Sequence, residues 1–400
     1  MAPVSPEIKA PATAPSPRLA ARVQSLAPSG IRRFFDLVQT LDGVISLGIG
    51  EPDCATPLAI REAGIDTLQR GQTAYTSNYG TLELRQAIAR HLERRYGVGY
   101  DPTDEILVTL GVSEGLDLAM RALLNPGDAV VIPDPGYVSY APCVVLAGGT
   151  VQPLPTFAAD RFWPRPEQLS QTITAATKAV LLGYPNNPTG AAPDRTTLAA
   201  IGRIVAERDL IAVSDEIYDR LVYDREHVCF ASLPGMRDRT ILLGGFSKSY
   251  AMTGWRIGFA AAPRELLAGL GKIHQYTALC APTISQVAAL EALASGETAV
   301  QAMVGEYAQR RDAMVRGLNA AGLACPEPEG AFYAFPSVAE LGLSDEDFAE
   351  RLLREERVAV VPGSAFGPAG HGHVRCCYAT SLPQIQEAVG RIDRFVRRLH

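Results

Sequence analysis

Residues Gly244 to Phe259 read G-G-F-S-K-S-Y-A-M-T-G-W-R-I-G-F, which sets one lysine, Lys248, among small residues, with Arg256 a short distance on. A lysine attacks a carbonyl only as its neutral amine, and partial burial beside a second cation lowers its pKa toward that form. The stretch therefore suits Schiff-base chemistry, with Ser247 and Arg256 placed to hold the phosphate of a cofactor condensed on Lys248. Taken alone, it is equally compatible with an exposed loop lysine. Leu210 to Tyr218 (L-I-A-V-S-D-E-I-Y) puts Asp215 just past the end of a buried strand, where open α/β sheets bind ligands. A fixed aspartate in a dry pocket is the countercharge that a protonated pyridine nitrogen needs in an electron-sink cofactor. The competing reading is a helix N-cap or a surface carboxylate. Tyr218, read as one helical turn further on, is within reach of the same ring.

Tyr184-Pro-Asn-Asn-Pro-Thr-Gly190 also follows a strand, and its Pro and Gly content makes it a rigid turn. As a pocket wall it offers Asn187 as a donor to a phenolate or carboxylate, which neither Leu nor Asp could be. Gly111-Val112-Ser113-Glu114 opens a helix after a strand, so its backbone N–H groups and the helix dipole suit an anion, as they do in many α/β turns. His371-Gly-His373 lacks a third ligand nearby and reads as surface histidine, so no metal is assigned. Cys376-Cys377 reads as core filling. Gly48-Ile-Gly50 lacks the third glycine of a dinucleotide fingerprint.

The elements that must position these residues follow from the apolar pattern. From Glu105 to Ala262, β-rich runs such as Ile106-Leu-Val108, Ala129-Val-Val-Ile132, Ala179-Val-Leu-Leu182, Leu210-Ile-Ala-Val213, Ile241-Leu-Leu243 and Ile257-Gly-Phe259 alternate with helix-period segments. That pattern predicts an α/β fold: a large domain with a mostly parallel sheet flanked by helices. Beyond Ala281 come helices (Gln286–Leu293, Val300–Leu318, Asp345–Glu355, Pro383–Leu399) and strand candidates at Ala331–Phe335, Val358–Val361 and Val374–Tyr378. These predict a smaller α+β domain, joined by the amphipathic run Ile31–Val38. The expected partition is a disordered leader over 1–17, a first part of the small domain over 18–49, a large domain over 50–285, and an interdomain helix with the rest of the small domain over 286–400.

Composition narrows the function classes. With 400 residues, 47% of them hydrophobic, and a formal charge of -6, the chain is an ordinary globular protein whose acidic balance speaks against nucleic acid as the main partner. Seven scattered cysteines without a Cys-x-x-Cys pair speak against a disulfide framework or zinc cluster. Met1–Pro17 has neither an Arg-rich face nor an apolar h-region, and no apolar stretch reaches the ~20 residues of a bilayer span. A soluble cytoplasmic protein acting on small molecules is expected.

The chain resembles a class I/II aminotransferase of the aspartate aminotransferase superfamily from Ser29 to its C-terminus. The resemblance rests on an ordered set of motifs: L-G-I-G-E-P-D at 47–53, Y-T-S-N-Y-G at 75–80, N-N-P-T-G at 186–190, S-D-E-I-Y at 214–218, S-K-S-Y-A-M-T-G-W-R-I-G at 247–258 and V-R-C-C-Y-A-T at 374–380. It implies the pyridoxal-phosphate type I fold, whose large domain has a seven-stranded-type sheet and whose small domain is built from N- and C-terminal segments. It further implies pyridoxal 5'-phosphate on Lys248, which also shuttles the substrate proton. Asp215 would pair with the pyridine nitrogen, Tyr218 and Asn187 with the phenolic oxygen, and Tyr137 would stack on the ring. Ser247, Arg256, Val112, Ser113 and Glu114 would surround the phosphate, joined by Tyr75 from a neighbouring subunit in a homodimer. Arg375 would grip the substrate carboxylate as a bidentate fork, assisted by Gly50 and Asn187. Gly245 stands where some relatives carry a serine, leaving Ser247 as the hydroxyl donor.

The segment Lys272–Ser285, where dicarboxylate-specific relatives often add an arginine, holds only Lys272 and His274 as basic residues. The text around Ser29–Leu37 and Val361–Gly367 most resembles aromatic and broad-range aminotransferases that use 2-oxoglutarate. Phe34, Tyr79 and Phe366 are candidates for a side-chain pocket or for plain core. The alternatives are an aspartate aminotransferase, a lyase or synthase of the same fold, and a cofactor-sensing regulator, for whose DNA-reading domain the short leader leaves no room.

Overall fold

The computed structural model describes residues 18–26 and 41–399; the leader 1–17 and the run Ile31–Val38, Phe34 included, lie outside the described residues. A short helix α1 (Ala21–Gln24) and strand β1 (Ile45–Ser46) precede helices α2 (Leu58–Gln69) and α3 (Leu82–Tyr96). Strands and helices then alternate: β2 (Ile106–Thr109), α4 (Val112–Leu123), β3 (Ala129–Asp134), α5 (Tyr140–Leu146), β4 (Thr150–Pro155), α6 (Pro166–Thr172), β5 (Thr177–Gly183), α7 (Arg195–Glu207) and β6 (Ile211–Asp215). Strands β7 (Thr240–Gly245) and β8 (Gly258–Ala261) complete the sheet, and helices α8 (Arg264–Thr277), α9 (Thr283–Ser295) and α10 (Glu297–Ala320) follow. The chain ends through β9 (Tyr333–Ala334), α11 (Asp345–Glu356), β10 (Val358–Ala359), β11 (Val361–Pro362), β12 (Val374–Cys377) and α12 (Leu382–Arg397).

The seven-stranded sheet has the order β2-β8-β7-β6-β5-β3-β4. Only β8 runs antiparallel to its neighbours. The near-continuous apolar runs of β2, β3 and β7 are buried on both faces, as a helix-covered parallel sheet requires. Helix α4 contributes Val112, Leu116, Ala119, Met120 and Leu123 to the core that also contains Leu107, Val213 and Leu243. Because the parallel strands share one direction, the segments leaving β2, β3, β5, β6 and β7 emerge at a common edge. Those segments carry Gly111–Ser113, Tyr137, Asn187, Asp215 and Lys248.

The C-terminal part has a separate core. Strand β1 pairs in parallel with β10, Ile45 opposite Val358, while β11, β12 and β9 form an antiparallel sheet. Helix α12 buries Ile385, Ala388, Ile392, Phe395 and Val396 at helical spacing, and Phe395 meets Phe348 of α11 edge-on at 5.4 Å. Removing such a buried ring costs about 3–5 kcal/mol.

Several expectations need correction. Thr150–Pro155, which is not among the apolar runs named above, is a strand; it lies at the sheet edge, where its Pro153 and Pro155 are tolerated. The run Val358–Val361 is two strands with different partners, because the chain leaves the β1 pairing at Ala359 and joins β12 at Val361. No helix follows Asp215: Tyr218 sits in a turn closed by Asp219 N–H to Glu216 O (3.0 Å) and Leu221 N–H to Tyr218 O (2.8 Å). His373 is not a surface residue but stacks on Phe335, with centroids 5.0 Å apart and planes 6° apart. Helix α1 lies near α5 of the large sheet layer.

Candidate active site

At the carboxyl edge of the sheet opens a cavity of about 630 Å³, a size that suits a cofactor with its substrate. Lys248, just beyond β7, donates from Nζ to the Gly50 carbonyl at 2.6 Å. Burial pushes its pKa down to about 8; Arg375 and Arg256 push the same way, while Glu51 and Cys377 oppose them. Gly50 has no room for a side chain, since a Cβ there would overlap the Tyr333 hydroxyl.

Asp215, the last residue of β6, is buried and accepts a hydrogen bond from the Tyr140 hydroxyl at 2.9 Å and another from Ile217 N–H at 3.2 Å. Burial raises its carboxyl to about 6 despite those two bonds. A Cβ on Gly183 at the end of β5 would overlap the Tyr140 hydroxyl, so the glycine makes space for this pair. Tyr137 lies edge-on to Tyr140 at 5.5 Å and lines the cavity. Tyr218 and Tyr333 share a hydrogen bond of 2.8 Å, and burial holds the Tyr218 phenol well above its ordinary pKa.

Arg375, on β12, is buried with its guanidinium flanked by Tyr333 at 4.5 Å and Phe366 at 4.9 Å. It donates from Nη1 to Asn187 Oδ1 at 2.8 Å and from Nη2 to Gly48 O at 2.6 Å. Its Nε is buried without a protein partner among the described residues. With its oxygen turned to Arg375, Asn187 keeps its amide N–H₂ available as a donor.

Gly111 is the N-cap of α4 at φ 80° and makes no side-chain cap, so no capping side chain occupies the first-turn N–H groups of Val112 and Ser113, both of which line the cavity. A Cβ on Gly111 would stand 2.9 Å from Arg256 Nη2. Arg256, itself left-handed at φ 51°, donates to Thr253 O at 2.9 Å and Leu110 O at 3.3 Å. Ser247 joins it in the lining. A helix N-terminus without a side-chain cap, a guanidinium and a hydroxyl are groups suited to an anion, and they line the same cavity as the amine and the buried carboxylate.

The sequence profile of aminotransferase class I and II matches residues 42–392. The chain belongs to this family. An aromatic-amino-acid aminotransferase of Thermococcus litoralis is 42% identical over 95% of this chain and 98% of its own. An aspartate aminotransferase of Pyrococcus abyssi is 43% identical, covering 94% of this chain and 97% of its own. The crystal structure of the aromatic aminotransferase from Pyrococcus horikoshii superimposes with a TM-score of 0.88 at 44% identity, over 92% of this chain and all of the other (100%).

In this aminotransferase, Gly50, Val112, Ser113, Tyr137, Asn187, Asp215, Tyr218, Ser247, Lys248, Arg256 and Arg375 all line the one cavity. Glu114 does not: its carboxylate accepts from Leu110 N–H at 2.6 Å and from His274 at 2.8 Å. Tyr75 is also away from the cavity, 83% exposed. Tyr79 packs against α8, near Gly271, and belongs to the core. His274 is fully buried on Glu114 and Lys272 is exposed, so neither basic residue of that segment lines the cavity. Sequence reasoning missed Tyr140 and Tyr333. The first had a signal in the spacing Tyr137-x-x-Tyr140 after a strand; the second had none, because its partners are remote in the chain. Among the described residues no helix is long and apolar enough to cross a membrane, and no His, Cys, Asp or Glu cluster suits a metal.

Proposed function

We propose that this aminotransferase binds pyridoxal 5'-phosphate on Lys248 and transfers the amino group of an aromatic or similarly apolar amino acid to a 2-oxo acid, with 2-oxoglutarate as acceptor. Members of the class depend on this cofactor, and the residues fit it. The uncapped α4 N-terminus with Arg256 and Ser247 suits its phosphate, Asp215 its ring nitrogen, and the Asn187 amide and Tyr218 hydroxyl its phenolic oxygen. When bound, the cofactor supplies an aldehyde that condenses with amines and a ring that accepts the electron pair released at the substrate Cα. Lys248 Nζ then takes and returns the Cα proton, a task suited to an amine whose pKa lies near 8. Arg375, held flat between Tyr333 and Phe366, presents its fork to the substrate carboxylate.

The observation that carries the substrate class is the cavity wall around Arg375. Among the described residues, Arg375, Arg256 and Lys248 are the cations of its lining, while Ile49, Tyr137, Val138 and Tyr333 supply apolar surface. Aspartate is the second reading, favoured by the similarity to aspartate aminotransferases. A screen of the holoenzyme against single amino acids, followed by the cofactor absorbance and its return on adding 2-oxoglutarate, tests both. Fastest conversion by phenylalanine and tyrosine supports the aromatic reading; fastest conversion by aspartate defeats it.

A homodimer is part of the same proposal. Leu58, Ile65 and Leu68 line the outer face of α2, and Tyr75, Tyr276 and Leu279 are also exposed. Thr283 Oγ1 donates to Ala74 O at 2.7 Å, tying the Tyr75 loop to α9, which packs on α2. An apolar face of this kind suits a second copy, and sedimentation as a monomer at micromolar concentration would refute it. The division into a large unit (50–285) and a smaller one (18–49 with 286–400, interdomain helix included) is proposed on the core around α11 and α12, although Ala288, Ala289, Ala292 and Val300 pack with Ile60 and Leu84 of the large unit.

A further inference from the structure

We infer that His274 is a positioning residue for the cofactor phosphate: it holds the Glu114 carboxylate away from the anion cradle. The inference rests on the proposed phosphate site at the start of α4. Glu114 is the third residue of that helix, the position from which a glutamate side chain ordinarily turns back to the N–H of the capping residue, here Gly111, beside the first turn. In a phosphate-binding helix this is a conflict, because it sets a second negative charge at the helix start and the two anions repel each other.

The structure shows how the conflict is avoided. One Glu114 oxygen accepts from Leu110 N–H, outside the helix, at 2.6 Å; the other accepts from His274 Nδ1 at 2.8 Å. An ionised carboxylate has no hydrogen to give, so Nδ1 carries the proton in this pair. His274 comes from α8, is wholly buried, and has no other side-chain role: its Nε2 meets no partner among the described residues. Leu110 is pinned from both sides, its N–H by Glu114 and its carbonyl by Arg256 Nη2 at 3.3 Å, so the same pair also fixes the turn that aims the cradle. Without the imidazole, Glu114 is free to swing back to the start of its own helix.

The test compares the affinities of the full chain, stripped of cofactor, for pyridoxal phosphate and for pyridoxal, which lacks the phosphate. His274→Leu is expected to weaken pyridoxal phosphate about tenfold and leave pyridoxal unchanged, because the released carboxylate then opposes the phosphate. Adding Glu114→Gln, which keeps an acceptor for Leu110 N–H but removes the charge, is expected to recover most of the loss. Inorganic phosphate, as competitor, should follow the same order. Equal weakening of both ligands, no weakening, or no recovery in the double variant overturns the inference. His274→Ala is read in the same way should the leucine variant not fold. Failure of the unaltered chain to bind pyridoxal phosphate would instead defeat the proposed function, and this inference with it.

Discussion

Burial of Asp215 has a measurable consequence in the cofactor-free protein. Its carboxyl titrates near 6 in the folded chain against 3.8 ordinarily, because the apolar surroundings penalise its charge more than Tyr140 and Ile217 relieve it. Between those values the folded chain keeps a proton that the unfolded chain has lost, so stability falls as pH rises through the window. Asp215→Asn has nothing to titrate there. The unaltered protein should therefore lose about 2.4 kcal/mol relative to the variant between pH 4 and 7, and little beyond. Urea unfolding of both cofactor-free proteins across that range gives the difference directly. A difference that stays flat, or that shifts in favour of the unaltered protein as pH rises, refutes the reasoning. With pyridoxal phosphate bound, a positive ring nitrogen beside Asp215 should reverse the ranking at pH 7.

Lys248→Ala should stay folded, lose the visible absorbance of lysine-bound cofactor and nearly all turnover; transamination at the original rate would remove the central assignment. In the unaltered chain, cofactor loading should speed up about tenfold per pH unit below 8 and level off above, tracking the neutral amine. Arg375→Lys loses the planar fork, its anchoring on Asn187 and Gly48 and its contacts with the Tyr333 and Phe366 rings, so KM for the amino acid should rise about 10- to 100-fold with a smaller change in kcat; steady-state kinetics decide it. Gly111→Ala combines a strained φ with a Cβ against Arg256, and cofactor affinity by equilibrium titration should fall about tenfold.

Much of the site was legible because its residues sit where buried apolar runs end. Asn187, Asp215 and Lys248 each follow such a run, and parallel strands deliver their ends to one edge, so three separate motifs converge without any knowledge of their contacts. Arg375 was legible only through the family motif, since it comes from a different sheet. Tyr333 and the Glu114–His274 pair were not legible. Their partners lie far apart in the chain, and only tertiary packing brings Tyr333 to Tyr218 or α8 to α4. The strand limits failed where pairing decides: Val360 has the composition of its neighbours, but the flanking residues bond to different strands.

The edge strand β4 shows what its prolines are for. Thr150 and Thr156 donate inward to Asp128 and Asp134, at 2.9 and 2.7 Å, so the N–H groups of alternate residues, at 151, 153 and 155, point away from the sheet. Pro153 and Pro155 delete two of those three outward donors. A parallel sheet with a free, well-ordered edge is a template for the strand of another molecule, and this one offers a single donor where pairing needs a row. Two prolines in one short strand thus keep the sheet from growing beyond its own chain at the β4 edge.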